Sequence, residues 1–77
     1  MASAQTWQEN FKKAEESFFV EEDYTGALVY LEKVITEYPE MVYAYNLGAM
    51  AHGKLGNYDQ ALTDLQKVLA IDPKDGF

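Results

Sequence analysis

The chain has 77 residues, no cysteine and a net charge of −7. This length allows one small domain, and the absence of cysteine excludes a disulfide framework. An acidic surface repels phosphate backbones and anionic lipids, so neither nucleic acid nor a membrane surface is expected as a partner. The opening residues lack the basic and apolar stretches of a signal peptide, so we expect a cytoplasmic protein.

Apolar residues at helical spacing predict four helices, separated by recognisable start and stop residues. Thr6 and Glu9 have the spacing of a capping box at the start of the first helix. Asp23 is expected as the N-cap of the second helix. Pro39 ends that helix, because the residue before a proline avoids helical geometry. The predicted bounds of the four helices are about 6–21, 24–37, 40–55 and 58–71.

The connections between these helices are short. The third helix is expected to begin directly after Pro39. Gly56 is expected to end it in the left-handed conformation, and Asn57 is expected to cap the fourth helix. Asp72 and Pro73 are expected to close the fourth helix. Connections of this length place neighbouring helices antiparallel.

The second half of the chain repeats the first half at an offset of 34 residues. The identical pairs are Tyr24 and Tyr58, Ala27 and Ala61, Leu28 and Leu62, Leu31 and Leu65, Lys33 and Lys67, Val34 and Val68, and Pro39 and Pro73. Most of these residues lie at helical spacing, so they trace one face of the second and fourth helices. We expect these two helices to bury Ala27, Leu31 and Val34, and Ala61, Leu65 and Val68.

This pattern resembles the tetratricopeptide repeat, a pair of helices that recurs with a period of about 34 residues. Ala27, Leu31 and Pro39 match the second helix of the family pattern, and the stretch 46–48 (Asn-Leu-Gly) matches its first helix. The resemblance implies an all-α fold of two antiparallel helix-turn-helix hairpins, stacked as a right-handed superhelical segment of an α-α solenoid.

The resemblance also implies a domain organisation. The whole chain, 1–77, is expected to form a single domain, with one repeat at 6–39 and the other at 40–73. The residues outside the two repeats are expected to form short tails, at 1–5 and 74–77.

Two features depart from the family pattern. The spacing from Gly48 to Tyr58 is one residue longer than in the family, and the spacing from Ala14 to Tyr24 has the same excess. The inward face of the first and third helices is therefore defined only to within one residue. Glu15 stands where the family has a small residue for close helix contact, so we expect Ala14 to make that contact.

The resemblance implies a protein-interaction module that binds a peptide or a partner helix in a concave groove, lined by the first helix of each repeat. Asn46 stands at the position whose amide holds the peptide backbone in peptide-binding relatives, although the same residue is also typical of a helix surface without a ligand. Further groove candidates are Tyr45, His52, Phe11 and Phe19, and core packing is the alternative for each of them.

The last helix carries more apolar side chains than its own hairpin can bury. The candidates for a self-association face are Leu62, Leu65, Leu69 and Ile71. A further helix would cover them in a longer array. We therefore expect either the N-terminal part of a longer protein or a protein that associates with itself. In either case, the 77-residue chain is expected to form a homodimer or higher oligomer, for example by exchange of hairpins.

Catalysis is not expected. His52 is the only histidine, and no phosphate-binding loop, nucleophile motif or zinc spacing occurs, so no enzyme activity, metal or cofactor is predicted. Some relatives clamp the acidic tails of chaperones, but that clamp needs Lys and Asn where Phe11 and Glu15 stand. A basic or neutral amphipathic segment is the expected ligand. The alternative to an adaptor is a structural segment whose repeats only self-assemble, without a free groove.

Overall fold

A computed structural model describes residues 6–72 of the chain. Four α-helices follow one another: α1 (Trp7–Glu15), α2 (Tyr24–Glu37), α3 (Val42–Lys54) and α4 (Tyr58–Ile71). A π-helical segment, Glu16–Val20, continues α1 without a break. The predicted all-α fold of two helical hairpins is confirmed. The predicted tails and Pro73 lie outside the described residues.

The start of α1 is held by the predicted capping box. The Glu9 N–H donates to the Thr6 hydroxyl at 3.3 Å, and the Thr6 N–H donates to the Glu9 carboxylate at 3.2 Å. Asp23 caps α2 as predicted, because its Oδ1 accepts the Gly26 N–H at 2.9 Å. Asn57 is the N-cap residue of α4, but its side chain makes no capping hydrogen bond.

The third helix begins two residues later than predicted. Pro39 and Glu40 form a turn rather than the entrance to α3, and Met41 is the N-cap residue. The Met41 N–H donates to the Tyr38 carbonyl at 3.3 Å, which closes this turn. The backbone therefore needs two residues after Pro39 before helical geometry resumes.

The π-helical segment was not predicted, and it lies between Ala14 and Tyr24, whose spacing is one residue longer than in the family pattern. A π-helical turn holds one residue more than an α-helical turn. The Glu21 N–H donates to the Glu16 carbonyl at 3.0 Å, and the Asp23 N–H donates to the Ser17 carbonyl at 2.7 Å. Ala14, which precedes this segment, and Phe18, which lies within it, are both buried.

The main core is one cluster built by the first three helices. Its buried members are Ala14, Phe18, Ala27, Leu31, Val34, Met41, Ala44, Leu47 and Ala51. Trp7 and Phe11 pack against this cluster from α1. Ala14, which was predicted to make the close helix contact, is fully buried, and Glu15 is exposed.

α3 lies between α2 and α4 and contacts both. The predicted burial of α4 is only partly confirmed, because Val68 is buried whereas Ala61 is partly exposed and Leu65 is exposed. Among the described helices, α3 is the main neighbour of α4, so much of the apolar arc of α4 is exposed.

The two hairpin turns end their first helices in the same way. Glu22 has φ 55°, and Gly56, its counterpart in the second repeat, has φ 81°. This left-handed conformation was predicted for Gly56, and it is unfavourable for a residue with a Cβ atom.

These two turns should respond in opposite ways to substitution. We expect Gly56→Ala to lower the free energy of unfolding by about 1 kcal/mol, although an added Cβ meets no atom within 4 Å. Glu22→Gly should raise the free energy of unfolding by about 0.5–1 kcal/mol, because glycine adopts the left-handed conformation without the strain of a Cβ atom. Urea denaturation measures both changes.

Gly53→Ala is the matched control for this pair, because Gly53 lies inside α3 and an added Cβ there also meets no atom within 4 Å. Alanine has the higher helix propensity, so this variant should be at least as stable as the parent chain. Equal effects of Gly53→Ala and Gly56→Ala would show that backbone conformation is not the cause.

Candidate functional site

One face of α3 is exposed along most of its length. Tyr43 is 70% exposed, Met50 is exposed, and Asn46 lies between them with partial exposure. Their spacing of three and four residues places the three side chains on one face of the helix. We call these three residues the α3 stripe.

An aromatic pocket adjoins the α3 stripe. It has a volume of about 360 Å³, and it is lined by Trp7, Tyr38, Glu40, Met41, Val42, Tyr43 and Asp72. The rings of Trp7 and Tyr38 meet edge to face, with their centroids 5.0 Å apart. Because Tyr43 belongs to both features, the stripe and the pocket form one continuous surface on the described part of the chain.

The residues predicted for the groove lie in several places. Asn46 is part of the α3 stripe. Tyr45 is buried, and its hydroxyl donates to the Pro39 carbonyl at 2.8 Å. His52 is six residues from Asn46, which places the two side chains about 120° apart around α3. Phe11 packs against the core, whereas Phe19 is exposed at the end of the π-helical segment, with its ring 4.7 Å from that of Phe18.

Sequence reasoning did not identify Tyr43 and Met50. Both stand at helical spacing from Asn46, so the signal was present in the sequence. The sequence alone does not separate this face from its neighbour, because Tyr45 lies two residues from Tyr43 and His52 lies two residues from Met50. Tyr45 belongs to the buried side, where burial and the negative charge of Asp64 raise the pKa of its hydroxyl.

A second surface covers the outer side of α4, and the internal repeat shows what is unusual about it. Leu31 of α2 is 2% exposed, whereas Leu65, its counterpart in α4, is 44% exposed. Leu28 and Ile35 are partly buried, and their counterparts Leu62 and Leu69 are both exposed. α3 covers this face of α2, and none of the described helices covers the same face of α4.

We call Tyr58, Leu62, Leu65 and Leu69 the α4 surface. Their spacing of four, three and four residues forms an unbroken apolar stripe. Tyr58 begins it and is 72% exposed, whereas Tyr24, its counterpart in α2, is partly buried. Ile71, which was also predicted for this face, is half-buried near the end of the helix.

His52 of α3 and Asp64 of α4 form a polar pair between these two helices. The His52 Nε2 and Asp64 Oδ2 atoms are 3.9 Å apart, and about a fifth of each side chain is exposed, 20% and 22% respectively. Burial raises the pKa of the Asp64 carboxyl, and the nearby imidazole opposes this shift. Within residues 6–72, no three His, Asp or Glu side chains converge as a metal site would require. Over the same range, no helix combines the length and apolar character of a membrane span.

Comparison with known proteins identifies the family. Models of the tetratricopeptide repeat match residues 1–40 and residues 42–75. The chain belongs to the tetratricopeptide repeat family. It carries two repeats of this family, and the repeats form a protein-protein interaction module. Protein is therefore the class of partner that the family implies.

The chain also resembles part of a larger curated protein. It is 35% identical over 52 residues to aryl-hydrocarbon-interacting protein-like 1 of Mus musculus, a match that covers 68% of this chain and 16% of that protein. The protein of the same name from Saimiri boliviensis boliviensis is 36% identical over 52 residues, which covers 68% of this chain and 14% of the relative. The chain thus spans only a small part of these relatives. No solved structure matches it.

Proposed function

We propose that this tetratricopeptide repeat domain is an adaptor that binds a peptide or a partner helix on the surface formed by the α3 stripe and the aromatic pocket. The observation that carries the proposal is the continuity of this surface through Tyr43. The two repeats, 6–39 and 40–73, would act as one domain in the cytoplasm. No catalytic step is part of this proposal.

The chemistry of the surface favours a particular kind of segment. The Asn46 amide can donate and accept at once, as a peptide bond requires, and Met50 adapts its shape to different apolar partners. The aromatic pocket suits an apolar or aromatic anchor side chain. Glu40 and Asp72 place negative charge on its lining, and the chain carries a net charge of −7. A neutral or basic amphipathic segment is therefore the favoured ligand.

Peptide selection against the chain tests this proposal. Short peptides would be selected on the immobilised protein, and their dissociation constants would be measured by fluorescence anisotropy. We expect Tyr43→Ala and Asn46→Ala each to weaken binding about tenfold or more, because both remove contacts at the centre of the surface. Tyr58→Ala is the matched control, since Tyr58 is as exposed as Tyr43 but lies on α4.

Affinity unchanged by both α3 substitutions would contradict this assignment. So would a greater loss of affinity in Tyr58→Ala than in Tyr43→Ala, because the peptide would then lie on the α4 surface.

The α4 surface favours a second function, self-association. Fully burying one leucine or similar side chain stabilises by about 1.5–3 kcal/mol, and a small domain has a total stability of only about 5–15 kcal/mol. Leu62, Leu65 and Leu69 are 57%, 44% and 45% exposed, so covering them would add roughly half of that amount for each side chain. A second copy, packed through the same three residues and the adjoining Ile71, would supply this stabilisation as a homodimer. In this role the repeats serve as a structural oligomerisation segment.

Sedimentation equilibrium over a wide concentration range tests self-association. We expect the parent chain to form a dimer or higher oligomer, and Leu62→Glu combined with Leu69→Glu to sediment with the mass of one chain. A charged side chain at these positions would have to be buried in the interface without a partner, whereas it stays hydrated in the monomer.

Val29→Glu is the control, because Val29 is an exposed apolar residue on α2, away from the α4 surface. It should leave the mass unchanged. A parent chain that stays monomeric at the highest concentration would contradict self-association, and so would an oligomer that survives the double substitution.

A further inference from the structure

A separate cavity of about 220 Å³ lies where α2 and α4 flank α3. Its lining is Leu28, Leu31, Glu32 and Ile35 from α2, Ala44, Gly48 and His52 from α3, and Asp64 from α4. Aliphatic side chains therefore line one side of the cavity, and a carboxylate and an imidazole stand on the other. The cavity is distinct from the α3 stripe, because His52 points about 120° away from Asn46.

The Asp64 carboxylate has no strong cationic partner in the described part of the chain. Its Oδ2 atom is 3.9 Å from the His52 Nε2 atom, which is too long for a hydrogen bond. Gly48 provides the space for this carboxylate, since a Cβ there would lie 2.8 Å from the same oxygen. Burial disfavours the charged form and raises the pKa of Asp64. A cation placed beside this group would relieve that cost.

His52 supplies a second polar group with unused capacity. Its Nδ1 atom is buried and makes no hydrogen bond within the described residues. A buried polar atom without a partner is costly, and such atoms are uncommon in folded proteins. A ligand rich in N–H donors would satisfy the partly exposed Asp64 carboxylate beside this ring.

The walls of the cavity suit the stem of a long basic side chain. Leu28 and Ile35 are partly exposed and offer an aliphatic surface. Lysine and arginine pack their methylene groups against such surfaces while their charged ends meet polar groups. Glu32 is exposed on the same lining and adds a second carboxylate.

The first hairpin pairs its two helices without this polar pair. Phe18 and Tyr30 are the first-repeat counterparts of His52 and Asp64. Phe18 is buried in the core, and its ring meets Tyr24 edge to face at a centroid distance of 5.1 Å. The first hairpin thus has aromatic side chains at the positions where the second hairpin has His52 and Asp64.

We infer that this cavity binds a lysine or arginine side chain of a partner polypeptide. Asp64 receives the cationic head, Leu28 and Ile35 pack on the methylene stem, and Glu32 contributes a second negative charge. This site is independent of the surface proposed for peptide binding on the α3 stripe, so either assignment can fail without the other.

Nuclear magnetic resonance of the ¹⁵N-labelled chain tests the inference. The chain would be titrated at physiological salt with acetyl-Ala-Arg-Ala-amide, with its lysine and citrulline analogues, and with spermidine. The arginine or lysine peptide should shift the amide signals of Gly48, His52 and Asp64 saturably. The citrulline peptide has nearly the same shape without the charge, and it should leave these signals in place.

Variants then separate the cavity from the general acidity of the surface. Asp64→Asn should weaken binding of the basic peptide at least tenfold, and Glu32→Gln should weaken it by a smaller factor. Asp59→Asn removes the same charge from an exposed position on the same helix, outside the cavity, and should change the affinity less than twofold.

The Asp64→Asn variant is expected to fold. Because the folded-state pKa of Asp64 is raised, the ionised group costs stability at neutral pH, and this cost disappears as the pH falls below the pKa of the unfolded chain. The variant should therefore melt no lower than the parent chain at pH 7. A lower melting temperature would contradict the claim that the partly buried, ionised Asp64 carboxyl costs stability.

Three other results would overturn the inference itself. The first is equal affinity of the parent chain and Asp64→Asn for the basic peptide. The second is a set of shifts spread over Glu15, Glu16 and Glu21 without saturation at the cavity. The third is tighter binding of spermidine than of either peptide at the cavity signals, which would assign the site to a free polyamine.

Discussion

The fold depends on the packing of α3 against α2. Leu31, the largest side chain of α2 in the core, is almost completely buried by this contact. Gly48 allows α3 to approach both α2 and α4 closely. A Cβ there would lie 3.9 Å from a Leu31 methyl group of α2 and 2.8 Å from the Asp64 carboxylate of α4. An added Cβ at this position would require the Asp64 carboxylate to move. Without α3, α2 would expose the same apolar stripe that α4 exposes, so each hairpin depends on the next helix for its stability.

Much of this arrangement could be predicted from local chemistry. Helical periodicity and the caps at Thr6 and Asp23 give the helix bounds to within two residues, because both act through neighbouring residues only. The π-helical segment could not be predicted in the same way. An extra residue fits into a helix or into a turn with its backbone hydrogen bonds satisfied in either case. The exposure of Leu65 could not be predicted either, because periodicity identifies a shared face and does not say whether a neighbour covers it.

The same limitation explains why only some residues of the candidate sites could be predicted. Asn46 was predicted from the family pattern, and the structure places it on an exposed face. Tyr45 and His52 lie one and six residues away from Asn46. Because each residue of a helix is rotated by about 100° from the previous one, both side chains lie on other sides of α3. The polar pair of His52 and Asp64 joins two helices, so no local pattern in the sequence indicates it. α3 therefore presents one face to solvent, packs a second on α2 and contributes a third to the acidic cavity.

Amide hydrogen exchange tests most directly the claim that α4 lacks the covering neighbour that α2 has. In dilute solution, the amides of α2 and α3 should exchange slowly and those of α4 markedly faster, because α3 is the main neighbour of α4 among the described helices. Protection of α4 should rise as the concentration increases or as a partner binds. Equal protection of α2 and α4 at the lowest concentration would contradict the account, because the apolar stripe of α4 would then be stable in water without any covering polypeptide.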